Sequence, residues 1–240
     1  MKNYLKYLLI LIIILISFSL SFSQDAKKEK AKIKVTADNT SIPWGETGKN
    51  ITLKGNVNIV YENYKLMSAY VIFNTETKFA DSPGKISVVS EKADFTADKG
   101  NTNFKDRICR AQGHIQGFIK KEVAKDIKNE KRKENVQKEI TENIKFWCDS
   151  GEYNYKTKIL SAKGNIKISE KDRVITCDTL KYDANTEIFY LNGNVRGEDK
   201  EGQIFMSPGE VIVSVKEGNE YIKAPQVQST FYVDLDDEEE

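Results

Sequence analysis

The chain has 240 residues, 39% of them hydrophobic and 30% charged, with 37 Lys+Arg against 36 Asp+Glu. That balance leaves no positive field to hold a nucleic-acid backbone. A single histidine removes His-based catalysis and multi-His metal sites, and three cysteines are too few for a four-thiolate zinc site or a disulfide-stapled mini-domain.

The N-terminus carries Lys2 and Lys6, then an apolar stretch from Tyr7 to Leu20 interrupted only by Ser17 and Ser19. Ser21-Phe22-Ser23 places small residues at the last and third-last positions before Gln24. The pattern predicts a secretory signal peptide over residues 1–23 and hence an exported protein. The alternative is an uncleaved membrane anchor over residues 5–22, for which about 18 or more apolar residues are wanted. No cysteine follows the apolar run, so no lipoprotein anchor is expected. A charged linker, residues 24–34, leads into the body of the chain. Residues 1–23 hold two Lys and no acid, leaving 35 basic and 36 acidic residues, so the exported part is neutral overall.

The body repeats every 29 residues. Cys148-Asp149, Tyr153, Thr157 and Gly164-Asn165-Ile166 recur as Cys177-Asp178, Tyr182, Thr186 and Gly193-Asn194-Val195. Gly55, Gly84 and Gly113 keep the same step, which then breaks between Gly113 and Gly164. The excess falls in residues 120–143, dense in charge and free of Gly, Pro and aromatics. Its apolar residues recur at i+4 (Val123 and Ile127; Val136, Ile140 and Ile144), the spacing of an amphipathic helix. A solvated charged insertion is the plainer reading.

Within each unit, apolar residues alternate. Leu160, Ala162, Gly164, Ile166 and Ile168 fall on one face, as do Phe189, Leu191, Gly193 and Val195, and Ile51, Leu53, Gly55, Val57 and Ile59. Period-two alternation with one apolar face marks half-buried strands. Asp81-Ser82-Pro83-Gly84, Ser169-Glu170-Lys171-Asp172, Asp183-Ala184-Asn185 and Lys216-Glu217-Gly218-Asn219 read as turns between them. A glycine recurring at mid-strand points to a bend or bulge where the sheet folds over. The predicted fold is all-β: repeated antiparallel strands in a quasi-one-dimensional domain over residues 35–225 whose ends are open strand edges. Residues 226–240 form a strand end and an acidic tail, Asp234 to Glu240.

The stretch Gly164-Asn165-Ile166 … Asp178-Thr179-Leu180-Lys181-Tyr182-Asp183 … Thr186 … Gly193-Asn194-Val195 resembles the OstA-like (organic solvent tolerance) family. That family includes LptA, LptC and the N-terminal domain of LptD. The resemblance covers about residues 35–225 apart from the insertion. It implies a folded-over antiparallel sheet, an open β-jellyroll or β-taco, whose apolar groove holds lipopolysaccharide acyl chains in the periplasm. It also implies edge-strand stacking onto other Lpt-type β-jellyroll domains or onto a copy of itself. The groove would be lined by Leu53, Val57, Ile59, Ile86, Val88, Ile115, Leu160, Ile166, Ile168, Phe189, Leu191 and Val195. The insertion and the acidic tail depart from the family pattern. A soluble shuttle or bridge subunit fits the length of the chain better than LptD, and an uncleaved N-terminus would make it an LptC-like anchored protein.

The remaining polar and reactive residues point to structure rather than chemistry. Cys148 and Cys177 occupy equivalent repeat positions. If each repeat is an antiparallel strand pair they stand about 9.5 Å apart, beyond the roughly 7 Å between Cα atoms that a disulfide spans. One rung of a parallel solenoid per repeat would bring them to about 4.8 Å. The strand-pair layout predicts free, half-buried thiols. His114 is expected as a surface polar residue, Asp149 and Asp178 in turn or strand-end roles, and Trp44 and Trp147 in aromatic core packing, with the edge of the groove as the alternative. No P-loop, G-x-S-x-G, H-E-x-x-H or C-x-x-C motif occurs. The sequence therefore predicts a non-enzymatic carrier without metal or other cofactor. A purely structural β-repeat protein and a parallel β-helix enzyme acting on polysaccharide stay open as alternatives.

Overall fold

The computed structural model describes residues 33–42, 49–61, 64–91, 93–120, 142–154, 156–216 and 218–230. The signal or anchor segment, Trp44, nearly all of the insertion and the acidic run from Asp234 lie outside the described residues.

Among the described residues the strands form one 18-stranded sheet in which every pairing is antiparallel. This is the expected all-β fold, and it removes the parallel solenoid and β-helix alternatives. The chain runs back and forth in rows. Six strands pass unbroken through the middle of their row: β3 (Asn50–Tyr61), β4 (Tyr64–Asn74), β9 (Ile108–Ile119), β10 (Ile144–Asn154), β11 (Ile159–Glu170) and β12 (Arg173–Asp183). Six rows are split at the middle into two short strands: β1 (Ile33–Thr36) and β2 (Asn39–Ser41), β5 (Phe79–Ser82) and β6 (Ile86–Val89), β7 (Ala93–Ala97) and β8 (Lys99–Asn103), β13 (Ile188–Asn192) and β14 (Val195–Glu198), β15 (Ile204–Ser207) and β16 (Val211–Ser214), β17 (Tyr221–Lys223) and β18 (Gln228–Thr230). The sheet thus bends along a corner that crosses every row, leaving two arms face to face. The 29-residue repeat corresponds to two rows.

The corner has a recurring chemistry. Gly55-Asn56, Gly164-Asn165 and Gly193-Asn194 each place two consecutive residues in the left-handed region, with φ from 48 to 77° for Gly164 and Asn165. Gly113-His114 does the same with histidine in the asparagine position. An aspartate on the preceding row caps each pair. Asp38, Asp149 and Asp178 accept a hydrogen bond from Asn56, Asn165 and Asn194 at 2.8, 2.8 and 2.9 Å, and Asp98 pairs with His114 Nδ1 at 2.7 Å. The aspartate lies so close over the glycine that an added Cβ would stand 2.2–2.4 Å from its Oδ2. Only glycine meets both demands, positive φ and no Cβ. The extra residue shifts the ladder register between Lys163 and Ile166 and between Lys54 and Val57, a bulge that turns the sheet.

Gly84 belongs to a different corner. It lacks the left-handed φ and sits in the Pro83-Gly84 break between β5 and β6, beside a buried Ser68–Ser82 hydroxyl pair at 2.6 Å. Ser207-Pro208-Gly209 repeats this break between β15 and β16, where Ser207 donates to the Pro225 carbonyl at 2.7 Å. Proline lacks the N–H a ladder needs, so a strand stops there.

At the far end of one arm, Asn74, Asn103 and Asn154 accept backbone N–H bonds from residues two and three ahead at 2.8–3.0 Å, closing tight turns. Lys78, Arg107 and Lys158 then take positive φ at the turn exit.

Candidate functional site: a trough between the arms

Strand alternation aims one apolar row from each arm at the other. In the middle of the molecule the arms leave a cavity of about 320 Å³, at the small end of the roughly 300–1,000 Å³ typical of ligand pockets. Ile86, Val88, Phe95, Ile115, Phe146, Ile166 and Ile168 border it from one arm, and Ala80, Gly100, Ala111, Gly151, Leu160 and Ala162 from the other. Arg110 and Glu152 also border it, but they hold strand positions of opposite parity to Ala111 and Gly151 and neutralise each other through Arg110 Nε donating to Glu152 Oε2 at 2.7 Å.

Toward the C-terminus the trough is filled. Tyr182 and Phe189 are fully buried and stacked, with ring centroids 4.2 Å apart. Leu191, Val195, Phe205, Val211, Val213 and Val215 pack around them. A smaller cluster of Leu53, Val57 and Val71, with Ala37, Ile51 and Ile59 against it, fills the N-terminal end.

None of the three cysteines forms a disulfide. Cys148 and Cys177 are two rows apart, as a two-row repeat requires. Burial pushes Cys148 up to about 11 and Cys177 up to about 12, with the Asp149 and Asp178 charges adding to it, so both stay protonated and unreactive at neutral pH. Cys109 borders the cavity and hydrogen-bonds Thr102 at 2.9 Å.

Among known proteins, residues 118–208 match the family model described as OstA-like protein. Over that stretch the chain is similar to OstA-like proteins. None of the curated proteins matches it. Among solved structures it is similar to the crystal structure of LptH from Pseudomonas aeruginosa, described as the LptA homologous periplasmic component of the conserved lipopolysaccharide transport device. The identity is 9% and the TM-score 0.31, over 85% of this chain and 96% of that one.

Of the residues expected to line the OstA-like groove, Ile59, Ile86, Val88, Ile115, Leu160, Ile166 and Ile168 border the cavity. Leu53, Val57, Phe189, Leu191 and Val195 also face inward, but they sit in the packed clusters at either end. Parity identifies an inward residue without saying whether its neighbours leave space. Trp147 is not a core residue but borders the cavity, the alternative position. It lies between inward-facing Phe146 and Cys148, its register partners Gln116 and Lys167 are exposed, and the Lys167 ammonium stands 5.5 Å from its ring centroid. His114 is exposed, as expected, and Asp149 and Asp178 hold corners. Sequence reasoning missed Phe95, Ala111, Phe146 and Gly151 as lining residues, although each shares the parity of an expected one.

Proposed function

We propose that the protein is a non-enzymatic periplasmic carrier or bridge component that shelters acyl chains of lipopolysaccharide, or of a related envelope glycolipid, on their way to the outer membrane. The observation that carries this reading is an apolar cavity held between the two arms of a single folded-over OstA-like sheet. Transfer of an acyl chain from water into such a cavity is favourable by roughly 0.8 kcal/mol per methylene, so binding needs no covalent chemistry. The edges of β1/β2 and β17/β18, which have a strand partner on one side only among the described residues, offer backbone groups to a neighbouring Lpt-type domain or a second copy.

A photo-crosslinking residue placed in cells at Ile115, Ile166 or Val195 tests the reading. Glycolipid labelling is expected at Ile115 and Ile166, which border the cavity, and not at Val195, which is buried in the filled end. Silence at every cavity position in a folded, exported protein would leave a purely structural β-repeat as the better description.

A further inference from the structure

The turns at the far end of one arm put charge where the backbone favours glycine. Lys78, Arg107 and Lys158 leave their turns at φ 57–58°, a left-handed conformation that glycine and asparagine adopt more readily than any long side chain. The register brings the three turns onto one rim, because Phe79 pairs with Asn103, Ile108 with Asn154 and Ile159 with Asp183. Each turn stands two rows from the next, about 9.6 Å, so the three left-handed cations span roughly 19 Å. Lys105 and Lys156, in the same turns, are exposed. The two acids there are engaged: Glu76 pairs with Lys49, and Asp106 accepts a hydrogen bond from Asn103 Nδ2 at 2.6 Å.

The charge follows the cavity. The rows that leave the cationic turns supply Ala80, Cys109 and Leu160 to its wall. The next turn along the rim, between the filled rows of Tyr182 and Phe189, carries Asp183 and Glu187 instead. Glu187 takes the same left-handed position at φ 56°, so the backbone accepts either sign and the choice of cations is separate from the fold. An aromatic ring stands beside them. Phe104, within the 103–108 turn, is 47% exposed where it borders the cavity and meets Phe73 edge-on, with ring centroids 6.1 Å apart. The other exposed large apolar side chains among the described residues, Val35, Ile42 and Val227, lie in or beside the two edge rows.

A solvated polyanion would call for the cations alone. An apolar ring among them suits a partner that is anionic at its surface and apolar just beneath. We propose that this rim docks the protein on an anionic lipid bilayer, with Lys78, Arg107 and Lys158 against the headgroups, Phe104 at the headgroup–acyl boundary and the mouth of the cavity turned toward the membrane. Each Lys or Arg held at such a surface strengthens binding about fivefold. The acidic 183–188 turn confines the contact to the part of the rim beside the cavity.

The test floats the chain from Gln24 onward, which keeps every described residue and omits the apolar N-terminal run, with vesicles of equimolar phosphatidylglycerol and phosphatidylcholine or of phosphatidylcholine alone. Binding is expected to the anionic vesicles only and to weaken with added salt. The triple variant Lys78→Gly, Arg107→Gly, Lys158→Gly is expected to bind about a hundredfold more weakly. It should melt no lower than the wild type, because glycine relieves the left-handed backbone at all three positions. If it does melt lower, asparagine at the same positions carries the test. Phe104→Ala is expected to weaken binding about fivefold, and Glu187→Lys, which extends the line of cations, to strengthen it about fivefold. A wild type that ignores anionic vesicles, or a folded triple variant that floats as the wild type does, would overturn the rim as a docking surface. A loss in the triple variant with Phe104→Ala unchanged would leave a surface for polyanions and overturn the membrane. Vesicles free of glycolipid keep cargo out of the measurement, so none of these outcomes bears on the carrier reading.

Discussion

The Asp178–Gly193–Asn194 corner invites a double-mutant cycle. Asp178→Ala removes the carboxylate that accepts the Asn194 amide at 2.9 Å, an exposed hydrogen bond to a charged group worth about 1 kcal/mol. Gly193→Ala asks for more. Alanine at φ 73° costs about 1–2 kcal/mol in backbone strain, and its Cβ, 2.2 Å from Asp178 Oδ2, must push the carboxylate away and lose the same hydrogen bond. Gly193→Ala alone should therefore cost about 2–3 kcal/mol. In the double variant the closest clash is gone, the Cβ kept at position 178 still presses at 2.9 Å, and the hydrogen bond is lost once, so the total stays at about 2–3 kcal/mol rather than the 3–4 kcal/mol of independent effects. The expected coupling is about −1 kcal/mol, above the roughly 0.3–0.5 kcal/mol within which independent sites add. Urea denaturation of the four proteins measures it, provided the slopes agree. Additive single-mutant costs would refute the view that aspartate and glycine act as one corner device.

Other outcomes follow from the same geometry. The His114 imidazole is held above its ordinary 6.5 by the hydrogen bond it donates to Asp98, then by the Asp98 and Asp149 charges. A folded-state pKa above the unfolded one means its contribution is complete below about 6.5 and fades as pH rises through the higher value. Wild type should thus lose an increment of stability as pH rises past about 6.5 that His114→Asn lacks, read from urea midpoints; equal pH profiles would count against the ion pair. Native Cys148 and Cys177 should resist iodoacetamide at neutral pH and react on unfolding, as peptide mapping would show. Phe189→Ala should cost about 3–5 kcal/mol, because it empties a fully buried site stacked on Tyr182, whereas Val88→Ala on the cavity wall should cost only about 1 kcal/mol. Similar losses from the two would mean that the C-terminal end is not the packed one.

Local rules made much of this fold legible. Alternation along residues 159–168 and 188–195 gives the inward face directly, and the spacing of Gly164 and Gly193 marks successive corners because the Gly-Asn pair is a fixed local requirement. The Ser-Pro-Gly corners at residues 82–84 and 207–209 escaped because they replace that pair with different chemistry 125 residues apart in the chain. Gly84 fell on the 29-residue step and so looked like its neighbours. The cavity was illegible for another reason. Its floor joins residues 82, 100, 111, 151 and 162, whose separations follow turn and insertion lengths rather than any period. Whether an inward side chain meets space or a neighbour depends on size across the register, so Phe189 and Ile166 look alike in sequence and differ in place.

Each corner aspartate reaches only to the glycine of the following row, so length is quantised in this architecture. Excising residues 155–183 would join Asn154 to Ala184 and bring Asp149 opposite Gly193-Asn194, a matched corner in the place of the one removed. The molecule would shorten by two rows, about 9.6 Å, with its seam unbroken. An excision that does not match the spacing between two corners would leave an aspartate facing a residue that carries a Cβ. Ruler and hinge are therefore the same side chains: the contacts that fold the sheet over also fix the increments in which it grows.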